Sequence, residues 1–169
     1  METYKAILTR RSIRKFRYAP IKTSTLEKLL KAGMYAPSAR NTQSWQFVVI
    51  TSRKILKDIP KVHPYSKMCR TAGAAIIVCA DLRIESSLKY NSLNCANASM
   101  NILLAAHEMG LGSVWMGVYP RPARIKDVTK LLNLPSNIVP ISIIALGKPD
   151  EKKEIPDRFN KDRIHINKW

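Results

Sequence analysis

Three stretches carry the side chains able to do chemistry. Arg10-Arg11-Ser12-Ile13-Arg14-Lys15-Phe16-Arg17 is the densest basic group in the chain. Guanidinium forks match phosphate oxygens bidentately, so Arg10 and Arg11 read as a phosphate clamp, with Ser12 adding a hydroxyl and Arg14 a further charge. The same arginine pair also reads as cations at a helix C-terminus, where the dipole favours them. Ala36 to Thr51 has a loop, Ala39-Arg40-Asn41-Thr42-Gln43-Ser44, dense in donors and acceptors. It feeds Trp45-Gln46-Phe47-Val48-Val49-Ile50, a strongly β-prone run. A polar loop held rigid by a buried strand suits a ligand site; it equally suits a connection that satisfies its own backbone. Ser113-Val114-Trp115-Met116-Gly117-Val118 is an aromatic strand flanked by glycines. Those glycines allow close approach of a flat ligand, or serve turn chemistry alone.

Other chemistries find little support. No Ser-His-Asp or Cys-His arrangement is convincing. Gly110-Leu111-Gly112 lacks the third glycine of a dinucleotide fingerprint. Cys69, Cys79 and Cys95 are odd in number and lack metal-ligand spacing, so they read as reduced, buried thiols. His63, beside Pro64 in an irregular stretch from Lys61 to Arg70, reads as a surface loop residue.

Several elements must position these groups. Tyr4, Ile7 and Leu8 have helical spacing behind Thr3 as a cap, and that helix delivers Arg10 and Arg11 at its end. Ser24-Thr25-Leu26-Glu27 fits a capping box opening a helix that runs to about Tyr35; Pro37 then restrains Ala36 from helical angles. Ser52 caps a short helix through Ile59, stopped by Pro60. Ala74 to Ala80 is a continuous apolar run, hence a strand buried on both faces. Ser87 to Met109 is the longest helical stretch. Its middle, Asn94 to Asn101, is rich in small residues, so it is either a central core helix or a subunit contact. Gly110 ends it as a C′ residue. A helix through Ile125, Val128, Leu131 and Leu132 precedes Pro135, and a third core strand runs from Ile138 to Leu146, ended by Gly147-Lys148-Pro149. The tail carries Phe159, Ile164, Ile166 and Trp169 among polar and basic residues, which predicts that it docks on something. No repeat, low-complexity segment or linker divides the chain, so residues 1–169 read as one domain with 150–169 as an extension.

At 169 residues, 46% of them hydrophobic, the chain is long enough for a full core. No apolar run reaches membrane-spanning length, and the N-terminus has no apolar leader with a cleavage site. A cytoplasmic protein with no membrane partner is expected. The balance of 29 basic against 12 acidic residues gives a net charge of +17, which favours anionic partners. The basic residues are dispersed and aromatics are only 7%, without the stacking motif of an RNA-binding sheet. A basic nucleic-acid-binding module is therefore a distant alternative, and no nucleic-acid partner is expected.

The order of four motifs is familiar. Arg10 to Phe16, Pro37 to Phe47, Gly110 to Gly117 and Leu146-Gly147-Lys148-Pro149 together resemble the nitroreductase family of FMN-dependent oxidoreductases. Each motif is weak alone; four in the family's order and approximate spacing are strong. The resemblance implies an α+β fold with a central mixed sheet flanked by helices. It further implies an intertwined homodimer with FMN at the interface and a C-terminal extension reaching onto the partner. By the family pattern, Arg10, Ser12 and Arg14, with Arg11 beside them, hold FMN from one subunit. Pro37, Ser38, Ala39, Asn41 and Gln43 contact it from the other. Trp115, Met116 and Gly117 lie along the isoalloxazine. Lys161 and Arg163 serve the FMN phosphate, with Arg158 a weaker candidate. No metal is implied. Hydride would pass from NAD(P)H to flavin N5 and on to a nitroaromatic, quinone or related small-molecule acceptor in ping-pong fashion, with Arg14 tuning the flavin. Dehalogenation, ene reduction and azoline oxidation are alternatives on the same fold.

Two departures stand out. Ser44 stands where many relatives have proline before the tryptophan, which loosens the turn. The connection between Val118 and Arg124 is short where longer members insert helices, so the substrate pocket is expected to be open, or built from His63 to Met68.

Overall fold

The computed structural model describes residues 2–169. Five strands form one sheet: β1 (Phe16–Arg17), β2 (Trp45–Ile50), β3 (Ala74–Asp81), β4 (Gly112–Gly117) and β5 (Ile138–Pro149). β5 is the hub, pairing with β3, β4 and β1, while β2 pairs with β3. Every ladder is antiparallel; the parallel component is a single bridge between Ser12 and Ser113. The architecture is α+β, as expected.

The apolar run of β3 explains the layering. Successive side chains of a strand point to opposite faces. Ile76 and Val78 join Leu26, Leu29, Ile102 and Ala106 in one core cluster, under α2 (Thr23–Met34) and α4 (Leu88–Glu108). Ile77 and Cys79 join Leu56, Ile59 and Val128 in a second, under α3 (Arg53–Val62) and α5 (Pro122–Leu132). A strand covered on both sides has no polar face to offer, hence the unbroken hydrophobicity. Truncating Ile76 or Ile77 to alanine would open a cavity between layers, a loss of about 2–5 kcal/mol.

α4 ends as its sequence predicts. Gly110 sits at φ +73°, and Leu111 N–H bonds Ala106 O at 2.8 Å while Gly110 N–H bonds His107 O at 3.0 Å. That pair of bonds is a Schellman closure. The helix starts are less obedient. Glu2, not Thr3, caps α1 (Thr3–Thr9), and Lys22, not Ser24, precedes α2; neither cap uses a side-chain bond. The expected capping box does not form because extended backbone at Lys22 starts the helix earlier, leaving Ser24 inside the first turn. α3 continues through Pro60 to Val62; a proline so near the helix end removes only one bond. β5 likewise extends through Gly147-Lys148-Pro149, since Lys148 and Pro149 pair with Arg17 and Phe16. β1 itself was not foreseen.

The predicted face of α1 is not a core face. Ala6 is its one buried residue, whereas Tyr4, Ile7 and Leu8 are exposed. Of the small residues of α4, Cys95, Ala98 and Ser99 are buried within the chain, as a core helix requires, while Ala96 and Asn97 face outward. An exposed ridge of Leu93 and Met100 remains on its outer side.

Candidate functional site

α1 ends at Thr9, and the chain turns out of it at Arg10. There it meets the start of the C-terminal tail. Asp150 N–H donates to Lys15 O at 2.9 Å, and Glu151 Oε1 accepts from Arg14 N–H at 2.5 Å and Lys15 N–H at 3.1 Å. These bonds anchor the start of the tail beside the basic motif, and an open basin of about 740 Å³ lies between them. Arg10, Arg11, Ser12 and Arg14 line it from one side, Lys152, Lys153 and Arg158 from the other. Glu154 is its single acid.

The arginines differ in role. Arg11 is engaged by carbonyls: Nη1 donates to Arg10 O at 2.5 Å, Nη2 to Leu8 O at 2.6 Å and Nε to Glu154 O at 3.1 Å. It closes the end of α1 and ties down the tail, so the helix-terminus reading describes Arg11. Arg10 has the opposite situation. Burial, then the charges of Arg11 and Arg158, hold its guanidinium below its ordinary value. A crowd of cations beside a hydroxyl, of which Lys153 is paired with Glu151 at 2.9 Å, is a donor set suited to a phosphate. Lys161 and Arg163 form an exposed turn and are not among the basin residues, whereas Arg158 is.

Arg14 also lines a second cavity, of about 240 Å³, along β4. Val114, Trp115, Met116 and Gly117 form its floor, with His63, Tyr65 and Arg124 around them. The glycines flanking β4 serve the protein itself: a Cβ on Gly117 would lie 2.9 Å from the Trp115 ring, and one on Gly112 would lie 2.9 Å from Ile13. Gly117 lets the Trp115 indole fold back over the strand. His63 is buried, contrary to its reading as a surface loop residue. Its Nδ1 accepts from Tyr65 N–H at 3.3 Å, which leaves Nε2 to donate to Gly117 O at 3.0 Å. Burial lowers its pKa, opposed by the Gly117 bond and reinforced by Arg124. A neutral imidazole thus fastens the end of β4 to the segment after α3.

The polar loop is a separate construction. Arg40, Asn41 and Gln43 all adopt positive φ, at 55°, 54° and 49°. Three such non-glycine residues are strained and persist only when their surroundings over-determine them. The determinants come from α4. Asn94 accepts from Ala39 N–H at 2.9 Å and donates to Thr42 Oγ1 and Ser44 Oγ, each at 3.3 Å. Ser44 donates to Asn91 Oδ1 at 2.6 Å, and Asn97 donates to Pro37 O at 3.2 Å. Ser38 Oγ accepts from Gln43 N–H at 3.0 Å, and Gln43 Nε2 donates to Asn41 Oδ1 at 2.9 Å. Arg40 pairs with the buried Glu85. Ser44 therefore pins the turn rather than loosening it. Asn91 and Asn94, three apart on one helical face, were missed as loop determinants. Within one chain this loop contributes nothing to the basin or to the β4 cavity.

A model of the nitroreductase family matches residues 7–148. The chain belongs to the nitroreductase family. A Methanothermobacter thermautotrophicus protein provisionally named NADH dehydrogenase/NAD(P)H nitroreductase is 44% identical over 169 residues, 100% of this chain and 88% of the relative. A solved structure from Parabacteroides distasonis under the same provisional name is 41% identical. Its TM-score is 0.94 over 99% of this chain and 98% of its own. The NADPH:FMN oxidoreductase of Vibrio harveyi, solved with NAD+, is 26% identical with a TM-score of 0.86, covering 99% of this chain and 77% of that one. Like these nitroreductase relatives, the chain is an enzyme of the nitroreductase type.

Proposed function

We infer that this nitroreductase binds FMN and carries hydride from NAD(P)H to a nitroaromatic, quinone or related acceptor. The observation that carries the reading is that Arg14 lines two cavities, a cationic basin and a groove floored by Trp115, Met116 and Gly117. That juxtaposition fits a ligand with a phosphate at one end and a flat ring system at the other. FMN, when bound, supplies the two-electron carrier between donor and acceptor.

The residues divide the work. Arg10 and Ser12, with Lys152, Lys153 and Arg158, hold the phosphate, and Arg11 keeps the end of α1 and the tail in place. Arg14 puts a fixed positive charge between the two cavities, where it favours the more anionic state of whatever lies there. His63 keeps a neutral imidazole on the Gly117 carbonyl and so fixes the floor. No separate nucleotide fold is needed, since the nicotinamide donor and the acceptor would use the same face in turn.

A homodimer completes the site. Pro37, Ser38, Ala39, Asn41 and Gln43 form a prebuilt polar surface away from the basin, suited to contacting the ligand of a second subunit. Tyr4, Ile7, Leu8, Met34, Tyr35, Leu93 and Met100 supply exposed apolar surface for such an interface. Phe159, Ile164, Ile166 and Trp169 are exposed on their own chain, as expected for a tail that docks on the partner, bringing Lys161 and Arg163 with it. Three buried, unbridged cysteines, their thiols pushed up to about 12 by burial, suit a reducing cytoplasm.

The test is spectroscopic. Purified protein should be yellow, its flavin absorbance should fall on anaerobic addition of NADH or NADPH, and a nitroaromatic or quinone should restore it. Protein that neither retains nor takes up FMN, or whose bound flavin ignores both nicotinamides, would overturn the assignment.

A further inference from the structure

The β4 cavity contains groups that flavin binding does not call for. Arg124 reaches it from the first turn of α5, with Nη1 donating to Gly117 O at 3.1 Å. Its guanidinium carbon stands 5.4 Å from the centroid of the Tyr65 ring. Gly117 O thus receives two donors, Arg124 and His63. A carbonyl has two lone pairs, so this one is saturated, and the other face of the guanidinium fork is left over. Among the described residues no carboxylate pairs with Arg124, and no acid lines the cavity. Arg14 is the other cation there. Tyr65 is largely exposed and Trp115 half-exposed, so both have ring surface open to solvent at the mouth.

Arg124, an unneutralised guanidinium, beside the accessible ring of Tyr65 recognises a particular kind of molecule. The ring takes a planar apolar body by stacking. The fork takes an anion with two oxygens in one plane, which is a carboxylate. The neutral His63 neither competes for the anion nor repels the cation. We propose that Arg124 is the specificity-determining residue of the acceptor pocket and selects planar aromatic acceptors that carry a carboxylate. The inference rests on the flavoenzyme reading only for the word acceptor; the binding preference stands or falls on the cavity.

The test compares 4-nitrobenzoate with its neutral isostere 4-nitrobenzamide on the oxidised, FMN-loaded protein, with no nicotinamide present. Binding is followed by titration calorimetry and by quenching of tryptophan fluorescence. Wild type should bind the benzoate about tenfold more tightly than the amide, as expected for one charge-assisted, partly exposed contact. Arg124→Gln should abolish that difference while leaving affinity for the amide within about twofold, and Arg124→Lys should restore part of it, because a merely structural clamp on Gly117 would not discriminate by ligand charge. Arg124→Gln should retain FMN, and the rate at which NADH bleaches its flavin is recorded as the reference for the comparison with NADPH. NADPH offers its own extra anion, so the ratio of NADPH to NADH rates is measured in parallel. A loss confined to NADPH would move the anion subsite to the donor and overturn the proposal. Equal binding of benzoate and amide by wild type, a difference that persists in Arg124→Gln, or release of FMN by that variant would each overturn it as well. Failure of NAD(P)H to bleach wild-type flavin would count against the proposed function instead, and the binding comparison would still be read.

Discussion

The basic basin and the polar loop are both rich in hydrogen-bonding groups, and they are built on opposite plans. In the loop nearly every polar group has a partner within the chain. Asn91, Asn94 and Asn97 reach out of α4 to Ser44, Thr42, Ala39 and Pro37 and hold three residues at positive φ. In the basin, cations outnumber the acids beside them, Glu154 on the lining and Glu151 on Lys153, and Arg10 is pushed below its ordinary pKa. The loop is a shape fixed before any ligand arrives, while the basin is charge awaiting a counter-charge. A polar group that is satisfied contributes to stability; a cation that is crowded contributes to binding and detracts from the fold.

The sharpest way to break this contrast is to remove Arg10. Arg10→Ala should weaken FMN binding by about 1.5–3 kcal/mol, the range for hydrogen bonds to charged groups, and leave the thermal midpoint of the flavin-free protein equal or higher. A fall in the flavin-free midpoint would mean that the basin is structural like the loop. The companion variants Arg158→Ala and Lys161→Ala separate the two tail candidates for the phosphate: the basin geometry favours the larger loss in Arg158→Ala, and the reverse order would support the partner-borne Lys161.

The loop should respond in the opposite sense. Asn91→Leu keeps volume but removes the acceptor of the Ser44 hydroxyl proton and the Asn91 Nδ2 donor to the Glu85 carbonyl at 2.6 Å. Its expected cost is about 1–3 kcal/mol of stability, or roughly 2–4 °C in Tm per kcal/mol for a chain of this size. Calorimetry of the flavin-free protein reads it directly. An unchanged Tm would show the asparagine network to be incidental.

A smaller effect locates Arg14. If it lies near the part of the flavin that gains charge, Arg14→Gln should lower the FMN midpoint potential by roughly 30 mV, about 1.4 kcal/mol for a two-electron couple. Arg10→Gln should shift it less, because the phosphate charge does not change on reduction. Spectroelectrochemistry at saturating FMN decides, and a larger shift in Arg10→Gln would exchange the two placements.

The smallest expected effect is a pH dependence. His63 has a folded pKa below its ordinary 6.5 because burial disfavours the imidazolium. The folded state therefore binds the proton less readily than the unfolded one. The contribution of neutral His63 is complete above about pH 6.5 and declines as pH falls through that value toward the folded pKa. His107 is lowered for the same first reason and works in the same direction. His63→Gln should flatten the wild-type loss of stability between neutral and mildly acidic pH, as followed by denaturant titration.

The sequence by itself determined what depends on local pattern and on motif order. β3 declared itself because a strand covered on both faces must be apolar throughout, and α4 because a long periodic run ends in Gly110. Four short motifs in order were sufficient for the family. The tertiary structure alone decided which distant residues share a cavity. Arg14 and Glu151 lie 137 positions apart, and nothing local tells Lys152, Lys153 and Arg158 to lie beside the first basic motif. His63 read as a loop residue because its partners, the Gly117 carbonyl and Arg124, come from β4 and α5. Ser44 read as a loosened turn because its partners are two asparagines on α4. Helix starts at Thr3 and Thr23 were misplaced for a related reason: the backbone entering the helix set them, with no capping side chain taking part. Hydrophobic periodicity is a property of neighbours in the chain, whereas burial, charge crowding and saturated carbonyls are properties of neighbours in space.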